Sequence, residues 1–400
     1  MIIKNGYIVV NNKLERKDIL IEGNQIVDIS NNIDLKDEIL DATDCLIMPG
    51  GVDVHVHLRQ PGYEYKETIS SGTNAAAKGG ITTILTMPNL NPCPHNLENL
   101  KVQEDIIKKD AVVRVFPYGA VSKNQKGQEI AELEELCKKV VAITDDGVGV
   151  NNIDILIKAM EYAKKHNIVL ASHAEDEIDG KLPQGEYVAV KREIELAKKI
   201  GCKYHFLHMS TKESFEYIRQ AHKEGYNNIT CEVSPHHLLL NEQMIKNGNY
   251  KMNPPLRSEE NRLETIKALL DKTAIMIASD HAPHALHEKD KEYNKCLNGI
   301  IGLETMIPLV YTNFIKTNMA SLQDFIDWFV TNPNKVFNLP ERKIEKGYVA
   351  DIAILDIKNT RKFTEEEILS LSKNSPYIGM EMTGFAKYTL VDGKIIWRAK

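Results

Sequence analysis

Gly51-Val52-Asp53-Val54-His55-Val56-His57-Leu58-Arg59 opens a pattern that repeats to about residue 335. Its β-branched and apolar content predicts a strand. Side chains two apart on a strand point the same way, so His55 and His57 project together, and Arg59 joins them if the strand runs on. Two imidazoles on one rigid strand make half of a transition-metal site, since neutral imidazole suits Zn, Fe, Ni and Cu. A bare His-x-His reads equally well as two polar residues on a wet strand face. The downstream sequence decides between the two.

Apolar, β-branched runs recur at 52–57, 82–87, 112–121, 140–146, 168–175, 204–210, 228–237 and 274–284. Amphipathic stretches of helical period lie between them, at 66–78, 97–109, 128–138, 153–166, 187–200, 213–223 and 260–270. Strands alternating with helices in this number predict an α/β fold, a (β/α)8 TIM-type barrel. A doubly wound open sheet would usually carry a Gly-rich phosphate loop after an early strand, and none is present. The flanks differ. Residues 1–48 read as short strands with turns at Gly6 and Gly23-Asn24, the latter a hairpin signal. Residues 339–400 return to strands, with a hairpin across Asp392-Gly393. Each flank is too thin to bury a core alone. The economical expectation is three segments: 1–48 and 339–400 combining into one small β-sandwich, and 49–338 forming the barrel.

Composition bounds the function. With 42% hydrophobic and 26% charged residues, the chain reads as a soluble globular enzyme. A net charge of −6, without any Lys/Arg-rich run, gives no electrostatic footprint for nucleic acid or anionic membrane. The N-terminus reads as a strand, not a signal peptide, and no apolar run reaches membrane-span length. The six cysteines are scattered with no C-x-x-C pair, which suits packed, reduced thiols and a cytoplasmic location.

In a barrel of this type the working residues sit at the C-terminal ends of the strands. Those ends here carry His55 and His57, Asp145-Asp146, His173 with Glu175, His205 and His208, His236-His237, and Asp280-His281 with His284. Histidine makes up 13 of 400 residues, and its concentration at strand ends favours the metal reading. His205 and His208 are three apart, so a regular strand cannot aim both inward. His205, His236, His237 and His281 are therefore expected to pack or support rather than ligate, and His95, His166, His222 and His287 to be solvated.

The segments HVHLRQPG, TMPN, TDDGVGV, SHAED, HMSTKES, EVSPHHLLL, KMNPPLR and SDHAPH resemble the amidohydrolase superfamily. More narrowly, they resemble the shorter bacterial type I dihydroorotases, over essentially the whole chain. That resemblance implies a zinc enzyme that reversibly closes N-carbamoyl-L-aspartate to L-dihydroorotate on the pyrimidine (UMP) route. It implies two Zn2+ per subunit. His55, His57 and Asp280 would hold one and His173 and His208 the other, with Asp146 as the bridging carboxylate and Asp145 as the alternative bridge. Water activated by the metal pair would attack, with Asp280 as general acid and base. Arg59, Asn89 and His284 match a grip on the substrate α-carboxylate, with His57 beside it, and Asn253 matches a ring contact. The resemblance also implies a homodimer and an association with aspartate carbamoyltransferase.

Two departures stand out. The stretch 176–186 is brief, so one active-site loop is trimmed. The loop after the eighth run reads Lys295-Cys296-Leu297-Asn298-Gly299, without the aromatic that relatives often place before the glycine. Asn298 and Gly299 stay candidates through their backbone. Two other readings compete. A hydantoinase or allantoinase would usually bridge its metals with a carboxylated lysine, and the fourth run ends in none. A non-catalytic dihydroorotase-like subunit would have lost ligands, and here all six positions are filled.

Overall fold

A computed structural model describes residues 1–399. The chain opens with strands β1 (Ile2–Val10), β2 (Lys13–Glu22), β3 (Gln25–Ser30), β4 (Ile39–Asp41) and β5 (Cys45–Pro49). Next come β6 (Gly51–Val56), β7 (Ile81–Thr86), β8 (Arg114–Pro117), β9 (Gly119–Ala120) and β10 (Ala142–Thr144). After them lie β11 (Val169–Ser172), β12 (Lys203–Phe206), β13 (Ile229–Val233) and β14 (Met276–Ile277). The C-terminal part adds β15 (Ile352–Asp356), a short pair β16 (Arg361–Lys362) and β17 (Glu381–Met382), then β18 (Phe385–Val391) and β19 (Lys394–Arg398).

Both ends of the chain enter one sheet, ordered β19-β18-β15-β5-β1-β2-β3, with β4 beside β1. The two sequence-predicted hairpins are there: Glu22 opposes Gln25 across Gly23-Asn24, and Val391 opposes Lys394 across Asp392-Gly393. Strand periodicity divides the central strands between two cores. Cys45 and Ile47 pack with Ile352 and Ile354 in the terminal sheet's own cluster. Their neighbours Leu46, Met48, Ala353 and Leu355 face the opposite way, into the large cluster shared with helix Ile69–Lys78. Charge fastens the same seam. The Arg114 guanidinium in β8 reaches the buried Asp351 (3.0 Å) and Asp392 (2.7 Å).

β6-β7-β8 form one parallel sheet and β9 to β14 a second, each strand lying beside its sequence neighbour. The two meet twice. β8 runs into β9 with only Tyr118 between, and a parallel bridge joins Val56 to His281, where the His57 N–H also donates to the His281 carbonyl (2.8 Å). Val52, Val54, Leu85, Ala142, Val169, Ala171, Met276 and Phe337 fill the space these strands enclose. Helices such as Ile153–His166, Pro183–Ile200 and Lys212–Lys223 turn their apolar faces onto the outside.

Several elements differ from expectation. The 112–121 run is broken at Tyr118, whose hydroxyl donates to the Val54 carbonyl. The 228–237 run ends at Val233, because Pro235 starts a short helix, Pro235–Leu239, where its missing N–H costs nothing. The 274–284 run is regular only over Met276–Ile277, and Asp280 takes a left-handed φ of 48° as the chain turns into the site. The 128–138 helix shrinks to Leu133–Leu136. The trimmed 176–186 stretch is shorter still as a loop, since Pro183 at a helix start extends the next helix back to it. All six cysteines are buried. No helix among the described residues is long and apolar enough to cross a membrane.

Candidate metal centre and active site

The strand ends bring His55, His57, Asp146, His173, His208 and Asp280 into one buried cluster. Asp280 Oδ1 lies 3.4 Å from His55 Nε2 and 3.3 Å from His57 Nε2. Asp146 divides its two oxygens. Oδ1 lies 3.4–3.5 Å from His55 Nε2, His173 Nδ1 and His208 Nε2, while Oδ2 lies 3.3 Å from His57 Nε2. Asp145 points elsewhere, accepting from the Val121 and Ser122 amides and the Ser122 hydroxyl. The chain turns just past β10 (Ala142–Thr144), and of the pair only Asp146 enters the cluster.

Supporting contacts set which ring nitrogen faces inward. His55 donates Nδ1–H to Glu232 Oε1 (2.8 Å), and His57 donates Nδ1–H to Asn89 Oδ1 (2.6 Å). Both rings therefore turn Nε2 toward the carboxylates. His173 Nδ1 and His208 Nε2 face each other at 2.9 Å. Burial opposes charge on His55, yet Asp146, Asp280 and Glu232 hold its pKa well above the ordinary value. Burial likewise opposes ionisation of Asp146 and Asp280, but the surrounding imidazoles keep both far below the usual carboxylate range. His55 Nε2 and Asp146 Oδ1 are buried with no hydrogen-bond partner. Orphaned buried atoms of this kind, nitrogen and oxygen only, fit a borderline divalent cation such as zinc, whose binding would displace the His55 Nε2 proton.

A cavity of about 290 Å³ opens on this cluster, lined also by Arg59, Asn89, Lys181, Asn253, His284 and the 297–299 loop. Arg59 leaves the strand with a left-handed φ of 61° and anchors Nε on the Pro283 carbonyl (3.2 Å), leaving the rest of its fork toward the cavity. His284 lies beside it, Nε2 3.4 Å from Arg59 Nη2. Burial and the Arg59 and Lys66 charges push the His284 pKa down to about 3, so the ring is neutral. Its Nε2–H donates to the Asn298 carbonyl (2.7 Å). Asn89 is partly committed. Its Oδ1 serves His57, and Nδ2 donates to the Asp146 carbonyl (2.8 Å), leaving one amide hydrogen for a ligand. Asn253 Nδ2 lies 2.9 Å from His173 Nε2 and 3.1 Å from Glu175 Oε2. Gly299 has its N–H bonded to the Lys251 carbonyl and its own carbonyl taken by Lys289 and Asn374. It is a packing glycine: at φ 138° an added Cβ would meet Ala282 at 2.7 Å.

The remaining histidines support the cluster. His205 bonds Thr230 (2.8 Å) and Glu232 (3.1 Å). His281 accepts from Gly302 N–H and lies 3.4 Å from Glu67. His237 donates to the Pro254 carbonyl, and burial holds His236 down at about 4. His222 is not simply solvated, since it donates to the Ile229 carbonyl (2.8 Å). Glu232 and Glu175 escaped the sequence reading as working residues. Glu232 is fully buried between His55 and His205, and the two imidazoles, against the effect of burial, hold it ionised at about 2. One signal was available: an acid inside the apolar run Ile229–Val233 must find a partner.

The fold is α/β and the site belongs to the cyclic amidohydrolase class. It overlays the L-hydantoinase (dihydropyrimidinase) of Arthrobacter aurescens with a TM-score of 0.88 at 26% identity, covering 99% of this chain and 96% of that one. A dihydropyrimidinase from Brevibacillus agri shares the fold at TM-score 0.88 and 24% identity, covering 99% and 95%. A family described as dihydro-orotase-like matches residues 44–181. Curated dihydroorotases of Fusobacterium nucleatum and Staphylococcus epidermidis are 41% and 42% identical, covering 99% of this chain and 98% and 99% of their own lengths. The chain belongs to the dihydroorotase family.

Proposed function

We propose that the chain is a zinc-dependent dihydroorotase, reversibly closing N-carbamoyl-L-aspartate to L-dihydroorotate in pyrimidine (UMP) synthesis. One observation carries the metal part: a single short carboxylate, Asp146, turns one oxygen to His55, His173 and His208 and the other to His57. That arrangement supports two Zn2+, one held by His55, His57 and Asp280 and the other by His173 and His208, with Asp146 shared. Zinc held there would supply Lewis acidity toward a water and the scissile carbonyl.

The chain's own residues do the rest. In the ring-opening direction Asp280 accepts a proton from the attacking water and delivers it to the ring nitrogen as the amide bond breaks. In the closing direction Asp280 takes a proton from the carbamoyl nitrogen as that nitrogen attacks the β-carboxyl carbon, and returns it to the departing oxygen as the C–O bond breaks. The Arg59 fork pairs with the α-carboxylate through two parallel bonds, joined by the free Asn89 hydrogen, while the His57 and His284 rings line the same end of the pocket. Asn253 and the Asn298 backbone face the ring.

The pairing of β6 through β14, with the Val56–His281 bridge, supports a closed (β/α)8 barrel over 49–338. The common sheet of 1–48 and 339–400 supports a curled β-sandwich beside it. The proposal extends to a cytoplasmic homodimer, alone or with aspartate carbamoyltransferase, read by light scattering of the chain with and without that enzyme. The deciding experiment measures zinc per chain and turnover of dihydroorotate, carbamoyl-aspartate and hydantoin. About two zinc and turnover of the first two support the reading; hydantoin turnover without dihydroorotate turnover would sink it.

A further inference from the structure

Lys289 closes the short helix Leu286–Lys289 and is 5% exposed. Its Nζ lies 3.0 Å from the Lys251 carbonyl oxygen and 2.8 Å from those of Leu297 and Gly299. No carboxylate pairs with it among the described residues. A protonated amine has three hydrogens, and here each meets a main-chain acceptor. Lys251 completes the arrangement from the other side, with Nζ 2.8 Å from the Asn294 carbonyl and 2.7 Å from that of Cys296. Two lysines thus take the carbonyls of 294, 296, 297 and 299. The carbonyl of 298 goes to His284 (2.7 Å).

Burying an ammonium without an acid is costly, so a loop that keeps one needs what only that group gives. An amide side chain could donate two hydrogens to these carbonyls, not three. The segment so held is the one that lacks the expected aromatic, and it forms one wall of the substrate cavity. Lys251 lies two residues before Asn253, so the same bonds tie that wall to the ring-facing asparagine. The Asn298 N–H has no protein partner among the described residues and is left for a ring carbonyl.

We infer that Lys289 and Lys251 form a clasp that positions the 294–299 segment for binding of the substrate ring. They are positioning residues, acting through Asn298 and Asn253. This rests on the dihydroorotase reading for its substrate. The test compares wild type with Lys251→Met, Lys251→Arg and Lys289→Met in the zinc-loaded enzyme. Lys251 is only half-buried and loses two bonds, so Lys251→Met keeps the fold even where Lys289→Met does not.

Lys251→Met is expected to raise KM for dihydroorotate about five- to twentyfold, with kcat within about twofold, as expected for one or two lost hydrogen bonds. Amide hydrogen exchange at 294–299 should quicken about tenfold or more, with the rest of the chain unchanged. Lys251→Arg, still a multiple donor, should recover most of the KM. An unchanged KM overturns the inference, as does faster exchange spread over the whole chain with a falling melting temperature. If wild type turned over neither substrate, the dihydroorotase reading would fail. The exchange comparison would still judge the clasp.

Discussion

The cavity has two walls, built by different means. On one, His55, His57, Asp146, His173, His208 and Asp280 come from strand ends, and their contacts run side chain to side chain. On the other, Arg59, His284 and the 297–299 loop are fixed by bonds to main-chain carbonyls: Arg59 to Pro283, His284 to Asn298, Lys289 to three residues. The first wall is over-determined by a rigid sheet. The second is a set of loops whose shape depends on a few cations. Damage to the first should therefore appear in kcat and metal content, and damage to the second in KM.

Asp280→Asn strikes the first wall hardest. It keeps the size of the side chain and removes the proton carrier, so kcat should fall about 10²- to 10⁴-fold. Zinc content should drop modestly and the melting temperature little. Retention of a tenth or more of the wild-type rate would end the shuttle role. Arg59→Met is the matching blow to the second wall. Losing charge-assisted bonds to a carboxylate costs about 1.5–3 kcal/mol, or roughly a 10- to 150-fold rise in KM, with kcat much less affected. A Michaelis constant that does not move would show that Arg59 holds Pro283 and not the substrate.

Glu232→Gln sharpens the contrast, because Glu232 touches no cavity and yet belongs to the first wall. Its carboxylate holds His55 Nδ1–H and His205 Nε2 and also receives the His208 N–H (3.3 Å). Loss of such a partner typically weakens metal binding about 10- to 100-fold. The readout is zinc retention against a competing chelator. KM measured at saturating zinc should stay near wild type. Equal retention by the variant and wild type would mean that His55 is oriented by packing alone.

The difference between the walls also explains what could be read from the sequence. Ligands on strand ends follow a period, so His55 and His57 announce each other, and the alternation of runs and helices set the order of the elements. Asp146 was legible in the same way, with only its neighbour Asp145 as a rival. The second wall has no period. Lys251 and Lys289 are 38 apart and look like surface lysines, because their partners are backbone oxygens that every residue has. Asn89 shows a milder form of the problem. It lies at the expected place, but much of its amide serves His57 and Asp146, which no spacing could reveal. Strand lengths are overestimated where Tyr118, Pro235 and Asp280 interrupt apolar runs, since hydrophobicity continues past the point where the backbone turns.

The smallest expected effect is a pH dependence confined to the second wall. Burial, with the nearby Lys251 charge adding to it, lowers the Lys289 amine to about 8, against the favourable pull of Glu288 and of the Cys296 sulfur if ionised. An unfolded lysine titrates near ~10.4. The unfolded chain therefore binds more protons between these values, and this group's contribution to stability rises with pH across that window rather than falling. The loop behaves oppositely. Above about pH 8 the amine has two hydrogens for three carbonyls, and one lost bond of about 0.5–1.5 kcal/mol corresponds to a roughly two- to twelvefold rise in KM. Zinc and the imidazole cluster have pH dependences of their own, so the quantity to measure is the ratio of KM at pH 9 to KM at pH 7 in wild type against Lys289→Met. A ratio about threefold larger in wild type supports titration of the clasp. Equal ratios would assign the whole effect to the metal wall and leave Lys289 protonated throughout.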